Sequence, residues 1–398
     1  TQPESSAASD VYKRQRLEDS NFGYMFNFSF YDNWTGSDNV EAEWDDEGNI
    51  VEHDIRKYLV HRERKSLGLR FDYNLGNTEL YTNLNYNDRD DYENRYRQRI
   101  KDLDKGEGSQ EIRRQTKAGL PGNEYGRLED QKLFSYKFGG TSLLDKLKLD
   151  YSFKISEASE LRPNERYLAL RLKKQTAVWN QSTEKPNFTF SNAIAADLNN
   201  SWDFRNLIEE RRDTDEKARS FKVDADYNFS DNLKLEAGLK ISTRKKERRN
   251  EFYEFEPVDE DAFLADAFSN IVSQNKSEWL NDGDGTSYNS GSYVSREFVG
   301  NLDLSNTALF ERVVVEEELA GNFKASEDIT SFYGMATYDY SDRLLIVGGL
   351  RLERTSLYDL EARSYDEDND VNNVISASDN DYTDCLLYTS DAADDSGC

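Results

Sequence analysis

The chain has 398 residues, with 51 Lys and Arg against 78 Asp and Glu, a formal net charge of −27. That sign opposes polyanionic partners, so nucleic acid and anionic membrane surfaces are not expected to bind it. Mean hydropathy is −0.91, and the longest wholly apolar runs are a few residues, as at 344–347, whereas a bilayer-crossing helix needs about 20.

High charge alone would suggest disorder, yet aromatic residues make up 13% of the chain, with 24 Tyr and 21 Phe. Disordered chains are poor in aromatics. A transmembrane β-barrel combines the two properties, because lipid-facing side chains alternate with polar lumen-facing ones and its outer loops are polar.

The two ends stand apart. Residues 8–15 (ASDVYKRQ) and 385–395 (CLLYTSDAADD) resemble translated adapter sequence at the ends of assembled metagenomic fragments. Residues 1–15 and 385–398 are therefore expected to be non-native tails around a native body at 16–384; a natural polar tail at each end is the other reading. Both cysteines, Cys385 and Cys398, fall in the second tail. If it is foreign, no disulfide, thiol catalyst or Cys-ligated metal can be argued.

From Phe22 the chain alternates strictly. Phe22, Tyr24, Phe26, Phe28 and Phe30 share one face, with Gly23, Met25, Asn27, Ser29 and Tyr31 on the other, which is the period of a strand. Leu67, Leu69, Phe71 and Tyr73 repeat the pattern, turn at 74–77, and return through Leu80, Thr82, Leu84 and Tyr86 as a hairpin. A second hairpin pairs Phe134, Tyr136 and Phe138 with Leu147, Leu149, Tyr151, Phe153 and Ile155. A third pairs Phe221, Val223, Ala225, Tyr227 and Phe229 with Leu233, Leu235, Ala237, Leu239 and Ile241. A fourth runs over 332–340, turns at Ser341 and Asp342, and returns through Leu344, Ile346, Gly348, Leu350 and Leu352. Less regular strands are expected at 167–173 and 188–191, giving about eleven.

Tight turns alternate with long excursions after Tyr31, Tyr86 and Ile241. Compact soluble domains rarely carry loops beyond about 15 residues, while outer-membrane barrels have short turns on one side and long loops on the other. The charge sits in three segments, all counted to the long-loop end: 32–54 is net −9, 251–285 net −9 and 358–384 net −8, which leaves the rest of 16–384 at +2. The expected fold is thus all-β, an antiparallel transmembrane β-barrel fragment with long acidic loops along one rim.

A family resemblance enters at the fourth hairpin. Residues 324–355 (KASEDITSFYGMATYDYSDRLLIVGGLRLERT) resemble the mid-barrel segment of TonB-dependent outer-membrane receptors. The matching features are Glu327-Asp328-Ile329, Tyr333-Gly334-Met335-Ala336, and Gly348-Gly349-Leu350-Arg351 followed by Leu352-Glu353. The third hairpin, ending in Arg244-Lys245-Lys246, is similar to another strand pair of that family. The resemblance implies a parent with about 22 strands around a plug domain, of which the eleven strands here are about half and the plug is not seen. It also implies outer-membrane lipid as surroundings, an inner-membrane energy-transducing complex reached through the plug, and an extracellular small ligand or glycan as cargo. Arg351 and Glu353 are expected to face the lumen if Leu350 and Leu352 face lipid. Gly334, Gly348 and Gly349 read either as relief of wall curvature or as close approach of backbone.

Other candidate sites are weaker. His53 and His61 read as solvated loop histidines, with a metal pair as the alternative. Residues 281–285 (NDGDG) suggest a calcium loop, but Asp-Gly turn chemistry explains them without an ion, and 366–370 (DEDND) reads as a solvated charge run. Of the five tryptophans, Trp34 is expected at the membrane interface. Trp44 and Trp279 are the candidate ligand-stacking residues, within acidic loops. No catalytic residue, metal site or cofactor motif is read, so the chain is not expected to be an enzyme. The competing functions are a non-transporting outer-membrane barrel, such as an adhesin or surface assembly factor, and a soluble all-β carbohydrate-binding protein.

Overall fold

The computed structural model describes residues 9–16, 21–192, 197–274, 288, 291–341, 343–366, 369, 371–376 and 379–389. The strands in chain order are β1 (Ser9–Arg16), β2 (Phe22–Trp44), β3 (Ile50–Asn74), β4 (Thr78–Lys101), β5 (Gln110–Ala118), β6 (Arg127–Leu144), β7 (Leu147–Gln175), β8 (Ala177–Trp179) and β9 (Phe188–Phe190). They continue with β10 (Asp203–Ser230), β11 (Leu233–Pro257), β12 (Ile271–Ser273), β13 (Ser292–Val294), β14 (Phe310–Val314), β15 (Phe323–Ser341), β16 (Leu344–Asp366), β17 (Val371–Ser376) and β18 (Asn380–Thr389). Two short helices, α1 (Glu260–Phe268) and α2 (Arg296–Asn301), lie between β11 and β14.

Fourteen strands form one antiparallel sheet, and its path has eleven positions. The difference arises because three positions are occupied by interrupted strands. β5 and β6 both pair with β4 and β7, one above the other. β14 and β15 stack in the same way along β11, as do β17 and β18 along β16. In the first of these, residues 119–126 are pushed out of the ladder through a 3-10 turn at Pro121–Asn123. Glycine is required there: a Cβ on Gly119 would collide with the Gly126 carbonyl.

The expected number of strands coincides with the number of positions, but the membership differs. Residues 167–173 continue β7 rather than starting a strand, and 188–191 lies at β9, in a separate two-stranded ribbon with β8. β1 and the β17/β18 pair complete the path. Their pairing says nothing about whether those end segments are native.

The turns at one end are short, as expected, at Leu75–Asn77 between β3 and β4 and at Asp145 and Lys146 between β6 and β7. The other end corrects the loop expectation. What read as a long acidic loop after Tyr31 is the continuation of β2 and β3 to a tight turn at residues 45–49, and β4 and β11 likewise run on to Lys101 and Pro257. Charged residues on both faces hid these strand halves from a hydrophobic pattern. At about 3.3 Å per residue a 25-residue strand is roughly 80 Å long, far beyond the 9–11 residues that span a bilayer.

The two faces differ sharply along the lower halves. Phe28, Phe71, Phe138, Phe153, Phe221, Ile241, Phe332, Leu350 and Leu352 are exposed on one face, Leu350 by 53%. The opposite face carries Asn27, Arg70, Asn83, Ser135, Ser152 and Lys240 around a cavity. Another cavity is lined from Tyr31 in β2 across to Lys246 in β11, so the sheet curves around its polar face. An antiparallel wall with a bare apolar outside and a polar concave inside is the outer-membrane type of β-barrel fold. No helix among the described residues is long and apolar enough to cross a membrane.

Above the apolar band the outer face is covered. Leu207 and Phe255 lie an even number of residues from Phe221 and Ile241, hence on the same face, and join Ile112, Leu168 and Leu170 in the main apolar cluster. Trp202, α1 through Phe263 and Ala267, and α2 through Val299 pack onto them. Asp259 and Ser295 cap the two helices by accepting from the backbone N–H groups of Ala262 and Phe298. Arg166 ties α2 down by donating to the carbonyl oxygens of Gly300 and Leu302 at 3.0 and 2.9 Å.

An arginine placed on the bare outer band should cost about 2–4 kcal/mol near mid-bilayer. Leu350→Arg is therefore expected to lower stability by that amount in urea unfolding from lipid vesicles, whereas Lys105→Gln, in a far-end turn, should leave it unchanged.

Candidate functional site on the concave face

The concave face is organised in three tiers. The uppermost is a lattice of charges held by register, since every second residue of β3, β4, β5, β6, β7 and β10 points inward. Lys117 bridges Glu93 and Glu165 at 2.8 and 2.7 Å. Arg127 contacts Glu129 at 2.6 Å and Glu93 at 3.3 Å, and Arg162 reaches Glu129 at 2.8 Å. Asp91 receives Arg62 and Arg89 at 2.7 and 3.1 Å. Nearer the far end, Asp54 is held by Arg56 and Arg99 at 2.6 and 2.8 Å, with Arg97 at 4.0 Å.

These contacts decide ionisation. Burial alone would raise the Glu165 carboxyl, but the Lys117 charge, its hydrogen bond and the donating Tyr167 hydroxyl bring it down to about 2. Burial and the Glu165 charge push the Tyr167 phenol well up, so it stays a donor. Glu210 is raised by burial and by the Glu165 charge, against the opposing pull of Arg212. Burial and the neighbouring Arg95 and Arg99 lower Arg97 to about 10.

Below the lattice lies a cavity of about 780 Å³ whose lining includes Tyr31, Arg64, Arg89, Glu160, Thr214 and Lys246. Its size falls within the ~300–1,000 Å³ of small-molecule sites. Arg64 sits over the Tyr31 ring at 5.9 Å, leaving an aromatic and a guanidinium on one wall and the Glu160 and Glu216 carboxylates on the other. Such a site can hold a polar solute by charged hydrogen bonds. The third tier is a cavity of about 420 Å³ at the level of the apolar band. Arg351 and Glu353 lie on this inner face, 2.6 Å apart, with Arg351 donating to Ser331 at 2.9 Å.

The residues singled out from sequence are not gathered here. Trp44 ends β2 and meets Trp179 edge-on with ring centres 5.9 Å apart; it is exposed at the far end and lines neither cavity. Trp279 and residues 281–285 lie outside the described residues, as do Glu367, Asp368 and Asp370 of the charge run. Trp34 is exposed and stacks on His61 at 4.1 Å. Trp202, just before β10, is 1% exposed and donates to the Asp197 carbonyl at 2.9 Å.

Both histidines are corrections, because neither is solvated. His61 lies between the Trp34 and Tyr92 rings, with Nε2 2.8 Å from Asp32 and Nδ1 3.1 Å from Glu124. Asp32, His61 and Glu63, and separately Asp88, Asp90 and Asp130, could each offer three ligand atoms to a metal. The carboxylates around His61 already use both of its ring nitrogens. His53 is 1% exposed, its Nε2 3.0 Å from the Pro186 carbonyl and its buried Nδ1 without a hydrogen-bond partner. Burial lowers it to about 4. Sequence reasoning missed the lattice because alternating Arg and Glu in β4 and β7 carry no hydrophobic signal; the i, i+2 spacing of Asp91, Glu93, Arg95, Arg97 and Arg99 was the available clue.

No protein-family profile and no curated protein matches this chain. Among solved structures, the outer membrane protease OmpT from Escherichia coli matches with 10% identity over 92% of this chain and 94% of that one, at a TM-score of 0.22. The expectation that the chain is not an enzyme is corrected here and dropped, because the matched structure is that of a protease. At that TM-score the likeness carries no argument for a reaction or for particular residues. The class defined by the chain's own geometry is an outer-membrane-type β-barrel wall with a charged inner face.

Lys117→Met strands Glu165 and should destabilise the chain by about 3–5 kcal/mol, while Lys117→Met with Glu165→Met should cost much less; denaturant unfolding in detergent separates them. His53 is neutral in the fold, with a pKa near 4 against 6.5 when unfolded. Its contribution is therefore fully present above pH 6.5 and lost as pH falls toward 4, by about 3 kcal/mol in all. His53→Gln should flatten that part of the stability profile measured from pH 7 to pH 4.

Proposed function

We propose that residues 16–384 are barrel wall from a TonB-dependent outer-membrane receptor of a Gram-negative bacterium. In this reading the parent protein imports a scarce nutrient of the siderophore, cofactor or glycan class, using energy from an inner-membrane complex that acts through a plug. The observation that carries the reading is the β15–β16 hairpin. Residues 324–355, which resemble the family's mid-barrel segment, form two paired strands with Leu350 and Leu352 outward and Arg351 and Glu353 inward. Supporting it are the outward apolar band, suited to outer-membrane lipid, and a polar concave face with room for a solute.

The whole gene, expressed in a Gram-negative host, tests the proposal. Its coding sequence should include a plug domain, and uptake of a cognate ligand should stop when an uncoupler collapses the proton-motive force. A complete gene without a plug would overturn the proposal in favour of an adhesin or surface assembly factor.

A further inference from the structure

The third tier has a charge that neither the acidic composition nor the receptor reading anticipates. Its lining includes Arg70, Lys137, Lys154, Lys222 and Lys240, and among the described residues no carboxylate lines it. The register makes this arrangement costly. Lys137 lies directly opposite Lys154 across β6 and β7, and Lys222 directly opposite Lys240 across β10 and β11. Like charges placed directly across an antiparallel pair destabilise it. One of the five is neutralised: Lys222 pairs with Asp224 at 2.7 Å. Arg70 and Lys137 both lie over one ring, Tyr81, at 5.6 and 5.4 Å from its centre, a contact that holds cations without cancelling their charge. Lys154 and Lys240 have no ion pair among the described residues.

Between the cations stand short neutral hydrogen-bonding groups, Asn83, Asn85, Ser135, Ser152 and Ser220. The acidic residues of the far end do not reach this level: Glu52 and Asp54 are taken up by Arg56, Arg99 and Lys101. A concave pocket with four cations lacking a carboxylate partner and a fringe of neutral donors suits a solute carrying several negative charges.

We propose that this lower cavity of about 420 Å³ binds a small polyanion of the phosphate or polycarboxylate class. Lysines act here as point charges that can each meet a different oxygen. The proposal goes beyond the receptor reading and does not rest on it, since the cavity belongs to the wall whether or not a plug exists. Uptake can fail while binding holds, and the reverse, so the two readings fail separately.

The test uses the full chain refolded in a neutral detergent at low salt, with tripolyphosphate and citrate as probes in titration calorimetry. At least one is expected to bind, and which one does assigns the class: tripolyphosphate alone, phosphates; citrate alone, polycarboxylates; both, polyanions in general. The triple variant Lys137→Gln, Lys154→Gln, Lys240→Gln should weaken binding by about tenfold or more, and Lys105→Gln should not. Because the triple variant can fail to fold, the unmodified chain provides a second reading. Bound polyanion should protect Lys137, Lys154 and Lys240 from acetylation, with Lys105 unprotected. Binding of neither probe, or undiminished binding by a folded triple variant, or equal acetylation of all four lysines with and without probe, overturns the proposal.

Discussion

Everything in this wall depends on the fact that successive side chains of a strand point to opposite faces. One run of residues can then meet two solvents at once. In the lower halves the outward set is Phe, Leu and Ile, left bare, and the inward set is Asn, Ser, Lys and Arg. In the upper halves the inward set becomes an ion-pair lattice, and the outward set disappears beneath α1, α2 and the segment around Trp202. Register preserves this division along all 24 residues of β4, because a slip of one position would exchange the faces.

The parts of the fold that were legible in the sequence are those where one face is apolar. Phe22 to Phe30 and the four hairpins announced themselves by strict alternation, and their short turns fell where Gly, Asn and Asp cluster. The upper halves were not legible, because Asp, Glu, Arg and Lys occupy both faces there and leave no apolar contrast. Leu168, Leu170 and Leu172 show a second obstacle. The register slips between Arg162 and Glu165, next to Pro163, so their parity is opposite to that of Leu149 and Phe153 in the same strand, and one strand reads as two. His53 and His61 could not be recognised as buried, since their covers, Pro186 and Glu124, come from 133 and 63 residues further along the chain.

Net charge was the most conspicuous property of the sequence and the least informative about the interior. A value of −27 describes the average of two arrangements that are spatially apart. At the far end, carboxylates and guanidinium groups are matched closely enough that even the buried Glu165 remains ionised. In the lower cavity, Arg70, Lys137, Lys154 and Lys240 gather without a carboxylate partner among the described residues, and only Lys222 is matched, by Asp224. The field met by a solute on the concave side therefore follows the local cross-strand rows, and the sum over the chain says little about it.

The three interrupted strands divide the wall in a way the continuous ones do not. At β5/β6, β14/β15 and β17/β18 the cross-strand ladder stops and restarts, while β4, β7, β11 and β16 run unbroken alongside, so the wall's continuity from far end to band is carried there by the neighbouring strands. The far-end architecture can loosen, exchange its amides or accept inserted chain there, while the band below keeps its register with the neighbouring strands.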